Sequence, residues 1–193
     1  MNVYQADEKF DFGKLQLEHP VAMSGNSYFT SITIEGQPVY IETPQLTTKQ
    51  GFVKNAKKVV CDLLFSSSES EFIQWIETLE TTCHNLVYMK SPDWFQETLE
   101  HDDIENAFSP CMKSYKSGKY QSCRCIIGMD HKNGNPLTKV YDESETPISY
   151  SELSEQSQII GIIEITGIRF TTRSFHIEIH LRQVMILKIE LPS

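Results

Sequence analysis

The chain has no run of about 18 consecutive apolar residues and no charged-then-apolar leader, so neither a membrane span nor a signal peptide is expected. It also lacks the glycine patterns that cradle phosphates, since neither a Walker A run nor GxGxxG occurs. No serine lies on a recognisable strand-to-helix elbow and no cysteine has a definable histidine partner, which leaves nucleophilic catalysis unsupported. Cysteine is scarce: Cys61, Cys83, Cys111, Cys123 and Cys125 are odd in number, irregularly spaced and free of any CxxC pair. Reduced thiols are therefore expected. Cys111 with Cys123 and Cys125 is the one grouping to weigh as a zinc site, and packing thiols are the preferred reading. Internal repeats, heptads and low-complexity tracts are absent as well.

What is present suits one folded core: 193 residues with 39% apolar content. A formal charge of -9 argues at first against a polyanionic partner. Its distribution argues differently. Residues 49–60 carry Lys49, Lys54, Lys57 and Lys58 without an acid. Residues 113–139 carry Lys113, Lys116, Lys119, Arg124, Lys132 and Lys139 against Asp130 alone. Most of the negative charge falls in residues 61–112, which also read as helical.

The periodicities predict a mainly β chain with a helical insertion, an α+β composition. Residues 1–26 mix charge and small polar residues without a sustained period and read as an arm. Residues 28–34 and 39–41, joined by Glu35-Gly36-Gln37-Pro38, read as a hairpin, and 59–65 as a further strand. Ser68-x-x-Glu71 resembles a capping box ahead of Phe72, Trp75, Ile76, Leu79, Cys83, Leu86 and Val87 at helical spacing. Ser91-Pro92 reads as the start of a second short helix bearing Trp94, Phe95 and Leu99, and Asp102 or Asp103 as the opening of one more turn before Pro110. Strands return at 120–127 and 137–141, a polar connection fills 142–156, and 159–170 is apolar on both faces, as in a covered central strand. From Phe175 to Leu191 the odd positions are apolar except Gln183. A strand of that length usually bends and is shared across a small closed barrel. The expected organisation is a single domain over 1–193, with a β core from 28–65 and 111–191 and a helical insertion at 68–108.

His176-x-Glu178-x-His180 puts three metal-ligand types on one strand face, roughly 6.5–7 Å apart. Zinc needs a fourth group, and a solvated polar face explains the pattern more simply. A metal-dependent enzyme using this face is the weakest of the functional readings. Carboxylates are plentiful on the predicted helices, where an acidic solvated face is expected rather than acid–base chemistry. Trp75, Trp94 and Phe95, spaced among aliphatic residues, read as core.

The constellation that fits a ligand is Lys113, Tyr115, Lys116, Lys119 and Tyr120, with Arg124 just beyond, where cations alternate with aromatics in a Gly- and Ser-containing segment. Lysines can follow phosphates while tyrosines stack on bases of any identity, which is what sequence-tolerant single-strand binding requires. Arg169, Phe170, Arg173 and Phe175 repeat the pairing. The competing reading is a solvated loop with lysines guarding a strand edge.

Residues 137–142 (LTKVYD), 147–153 (PISYSEL), 160–186 (IGIIEITGIRFTTRSFHIEIHLRQVMI) and 91–95 (SPDWF) resemble a protein family of nucleocytoplasmic large DNA viruses whose members look like single-stranded-DNA-binding proteins. The resemblance spans 28–187 and is strongest in the last third. It implies an OB-like antiparallel β-barrel and a viral, sequence-nonspecific single-stranded-DNA-binding protein acting in DNA replication, recombination or repair. No individual contact residue comes with it. Related replication proteins often end in an acidic tail that competes with DNA, which Leu191-Pro192-Ser193 does not supply.

The residues expected to meet DNA are Lys113, Tyr115, Lys116, Lys119, Tyr120 and Arg124, with Lys54, Lys57, Lys58, Arg169, Phe170 and Arg173 behind them. Binding needs no cofactor, no metal and no covalent chemistry. Expected partners are single-stranded DNA, viral replication proteins and a second copy of the chain, with no membrane. The expected setting is inside the infected host cell, in a cytoplasmic replication site or the nucleus, or packaged in the virion. The alternative is a non-enzymatic virion structural or assembly protein that docks through the acidic helical segment.

Overall fold

A computed structural model describes residues 2–171 and 173–187. Among them the chain is mostly β with two α-helices. The strands in chain order are β1 (Val3–Gln5), β2 (Leu15–Leu17), β3 (Val21–Met23), β4 (Ser27–Ile34), β5 (Gln37–Pro38), β6 (Tyr40–Glu42), β7 (Thr47–Asn55) and β8 (Lys58–Ser66). Helices α1 (Ser70–Trp94) and α2 (His101–Ala107) follow, then β9 (Met112–Tyr115), β10 (Tyr120–Ile127), β11 (Lys139–Asp142), β12 (Ile159–Phe170) and β13 (Phe175–Ile186).

The backbone of the sheet runs β1-β6-β12-β13-β10-β8-β7. It is not closed into a barrel, which corrects the sequence expectation. β7 has no ladder to β12, and a lone bridge between Leu46 and Ile159 spans that side. β10 and β13 share a single pair, Ile126 with His180, while β9 takes up the other half of that β10 edge. Nor is the sheet purely antiparallel: β1–β6, β10–β13 and β11–β13 run parallel.

Alternation decides which face each strand buries. Cys123, Cys125 and Ile127 of β10 and Cys61, Leu63 and Phe65 of β8 point into one core, where α1 adds Phe72, Trp75, Ile76, Leu79, Cys83 and Val87. The helix therefore closes the core rather than hanging outside it. Within the segment expected to be an extended arm or loop, residues 2–26 supply β1, β2 and β3, and Phe10, Leu15 and Leu17 are buried. Three-residue strands are too short to show a period.

The hairpin expected at 28–41 is only partly formed. Glu35 and Gly36 turn the chain at positive φ between β4 and β5, as a two-residue hairpin demands. β6 then leaves to pair with β12 and β1.

Two helix predictions also change. Ser68 does not cap α1, which starts after Glu69 without a side-chain cap. Pro92 does not open a new helix either; α1 runs through it to Trp94. A proline there leaves the carbonyl four residues back without its amide partner. The Ser91 hydroxyl takes that role, donating to the Tyr88 carbonyl at 2.7 Å. α2 is opened by a capping box between Glu100 and Asp103.

β12 and β10 match the predicted bounds, and β13 starts at Phe175 as expected. The alternation predicted to reach Leu191 forms strand only to Ile186, and residues 188–193 lie outside the described ones. The break at Gln183 has a structural counterpart. Ile162 pairs with Gln183 but Ile163 pairs with Leu181, a bulge that leaves Arg182 over and passes the buried phase from Leu181 to Val184.

Candidate nucleic-acid interface

Paired residues on neighbouring strands share a face, so the ladders place the predicted residues relative to one another. Tyr120 of β10 pairs with Tyr115 of β9 and Ser66 of β8, and Ser122 pairs with Lys113 and Leu64. Arg124 pairs with Asp62. Tyr120, Ser122 and Arg124 alternate with the buried Cys123 and Cys125, so this row faces away from the core, and Lys113 and Tyr115 share its face.

The hairpin between β9 and β10 turns through Lys116, Ser117 and Gly118, all at positive φ. That conformation is unusual for Lys and Ser, and the Gly118 carbonyl and Lys119 carbonyl are both held by Ser67, through its hydroxyl and amide respectively. The tight turn sets its two lysines beside the tyrosine pair. The Lys116 ammonium is 5.6 Å from the Tyr115 ring centre and 5.9 Å from that of Tyr120, and Lys119 is 5.7 Å from Tyr120. Lys49 arrives from β7, with its ammonium 4.8 Å from the Tyr115 ring centre.

Lys49 is a residue that sequence reasoning left out of the site. In the sequence it is one of a basic stretch, and only the pairing of β7 with β8 brings it to this face.

The remaining predicted residues divide. Arg124 is on the same face but already engaged: its Nε and Nη2 donate to the two Asp62 carboxylate oxygens at 2.9 and 3.1 Å. Arg169 donates from Nε to Glu178 at 2.7 Å and covers the Phe29 ring. Lys54, Lys57 and Lys58 are exposed at the β7–β8 turn. That turn lies by the Val59–Ile127 pair, while Tyr120 pairs with Ser66, so the two lysine groups occupy opposite ends of β8, about 25 Å apart by strand rise. They do not form one patch.

Phe170 is 3% exposed and packed between Tyr28 and Trp94 on the helix side of β12, so it is not a free platform on the lysine-bearing face. Arg173 is exposed in the turn joining β12 to β13. Because β10 runs parallel to β13 with Ile126 level with His180, this turn and the Lys116 turn lie at the same end of the sheet.

The His176-x-Glu178-x-His180 row is an ion-paired strand face. Glu178 is held by Arg169, and His180 Nδ1 shares a 2.7 Å hydrogen bond with Thr166. Burial, with Arg182 nearby, moves the His180 pKa down and favours the neutral ring. Cys61, Cys83, Cys123 and Cys125 are buried, and burial pushes the Cys61 and Cys83 thiols up to about 12.

No protein-family model matches the chain, and no curated protein matches it. Among solved structures, it is similar to the single-stranded DNA-binding protein from bacteriophage Enc34 in a C-terminally truncated form, with 11% identity, 93% of this chain and 96% of that chain covered, and a TM-score of 0.49. The Enc34 protein in complex with ssDNA gives 9% identity, 93% and 98% coverage and the same TM-score of 0.49. No helix among the described residues is long and apolar enough to cross a membrane.

Proposed function

We propose that this protein binds single-stranded DNA without sequence preference, through the face formed by β9, β10 and the start of β7. The observation that carries the reading is the clustering of Lys49, Lys116 and Lys119 around the Tyr115–Tyr120 pair. Lysines gathered at one spot of an acidic chain make a local positive patch that suits a polyanion. Aromatic rings beside those cations suit a strand whose bases are unstacked and free to lie on them. A duplex hides its base faces and offers the rings nothing.

Binding by this route requires no cofactor and performs no covalent chemistry. Together with the resemblance to proteins of nucleocytoplasmic large DNA viruses, it supports a role in viral DNA replication, recombination or repair within the infected cell. Replication proteins and a second copy of the chain are the partners to test.

The direct test is fluorescence anisotropy of a labelled thymidine oligonucleotide about 30 nucleotides long, enough to span several typical site lengths. Wild-type protein is expected to bind, Tyr120→Ala to weaken binding about tenfold, consistent with one lost stacking contact, and Lys116→Glu to weaken it further at low salt. Unchanged affinity in both variants sinks the assignment of this face.

A further inference from the structure

On the helix side of the sheet, beside the end of α1, lies a cleft of about 550 Å³. Trp94 and Phe170 are stacked at 5.4 Å with their planes 9° apart, and Tyr28 is stacked on Phe170 at 5.7 Å. Phe170 is buried, but Tyr28 is 45% exposed and leaves ring surface for a ligand. Asp93 and Glu97 line the cleft together with Arg173, and all three are exposed. The combination is unusual. An aromatic floor suits a flat ring, two carboxylates suit hydrogen-bond donors, and a lone arginine suits one anion.

We infer that this cleft takes a single unstacked guanine nucleotide, its base against Tyr28, its donor edge toward Asp93 and Glu97, and its phosphate toward Arg173. Guanine is the base whose Watson–Crick edge presents two adjacent donors, N1–H and N2–H2, which one carboxylate can accept together. Adenine and cytosine offer an amino group beside a ring nitrogen that repels a carboxylate, and thymine places its N–H between two carbonyls. The cleft volume lies in the range of small-ligand sites.

Arg173 sits in the turn at the end of the sheet where the Lys116 turn also lies. A strand crossing the lysine–tyrosine face can therefore continue round that end into the cleft, an extension that rests on the function proposed above. The main face reads no base, while this subsite adds a preference for guanine at one position.

The test uses intact protein and two probes, dGMP and dTMP, titrated while tryptophan fluorescence is followed. Trp94 lines the cleft, whereas Trp75 is buried in the core and serves as a constant background. Quenching by dGMP at a concentration about tenfold lower than dTMP is expected, the discrimination of one good bidentate pair. Asp93→Asn with Glu97→Gln should erase the preference, and Arg173→Ala should weaken both nucleotides. The same double variant should bind the thymidine oligonucleotide as tightly as wild type or slightly more tightly. Equal response to dGMP and dTMP, or none, while oligonucleotide binding persists, overturns the guanine cleft and leaves the lysine–tyrosine face standing. Failure of the wild-type protein to bind the thymidine oligonucleotide while it still prefers dGMP overturns the proposed function of that face instead.

Discussion

Arg124 shows how a residue's partners decide its availability. The sequence placed it among the first DNA contacts because it follows a run of lysines and tyrosines, and the ladder does put it on their face. Nothing local revealed that Asp62, far away in sequence, lies directly across and accepts two of its hydrogen bonds. An exposed pair of this kind contributes about 0.2–1 kcal/mol to stability, so breaking it should leave the fold intact. Asp62→Asn should therefore free one cation. Affinity for the oligonucleotide is expected to rise at low salt, and the slope of log K against log salt to steepen by about 0.7, the increment for one more neutralised phosphate on a single strand. A slope unchanged within error means that Arg124 takes no part. Gly167 illustrates the opposite case, a residue fixed by space alone. A Cβ there meets the Thr30 carbonyl oxygen and the Phe29 ring well inside contact distance. Gly167→Ala should cost about 1–3 kcal/mol, read from the urea midpoint, because a backbone atom must give way.

At the scale of elements, long periodic segments were legible and short or compensated ones were not. β10 and β12 came out with their predicted ends, and α1 was recognisable from Phe72 to Val87 because its apolar side repeats for several turns. Ser91-Pro92 misled, since proline normally marks a helix start or stop, whereas here the Ser91 hydroxyl satisfies the carbonyl that proline leaves open. Ser91→Ala is expected to lower stability by about 1 kcal/mol. In a Pro92→Ala background, where an amide is restored, the same change should cost clearly less. Equal costs in the two backgrounds, measured by chemical denaturation, contradict this account of the helix end. β7 went unrecognised because its pairing with β8 shifts register between Thr48 and Phe52, which scrambles the alternation that would have announced it. Gln183 was an anomaly in the sequence and became intelligible only with the bulge at Arg182 in view.

For the molecule as a whole, the segregation of charge was readable but its geometry was not. Two lysine-rich segments looked like parts of one surface, yet β8 holds Lys54, Lys57 and Lys58 at one end and Lys113, Lys116 and Lys119 at the other. Long-range pairing creates that separation, and it has no local trace. The same pairing brings Lys49 to Tyr115, and it keeps the sheet open where the sequence pattern suggested a closed barrel. The central claim is that single-stranded DNA meets the Lys49, Lys113, Lys116 and Lys119 group in particular. The most direct measurement is the salt dependence of oligonucleotide binding for wild type, for Lys113→Glu/Lys116→Glu/Lys119→Glu, and for Lys54→Glu/Lys57→Glu/Lys58→Glu. The account predicts a wild-type slope near -3, at about -0.7 for each of four phosphates, that collapses in the first variant and is largely kept in the second. No binding by wild type at micromolar protein in low salt, or a collapse confined to the second variant, contradicts it.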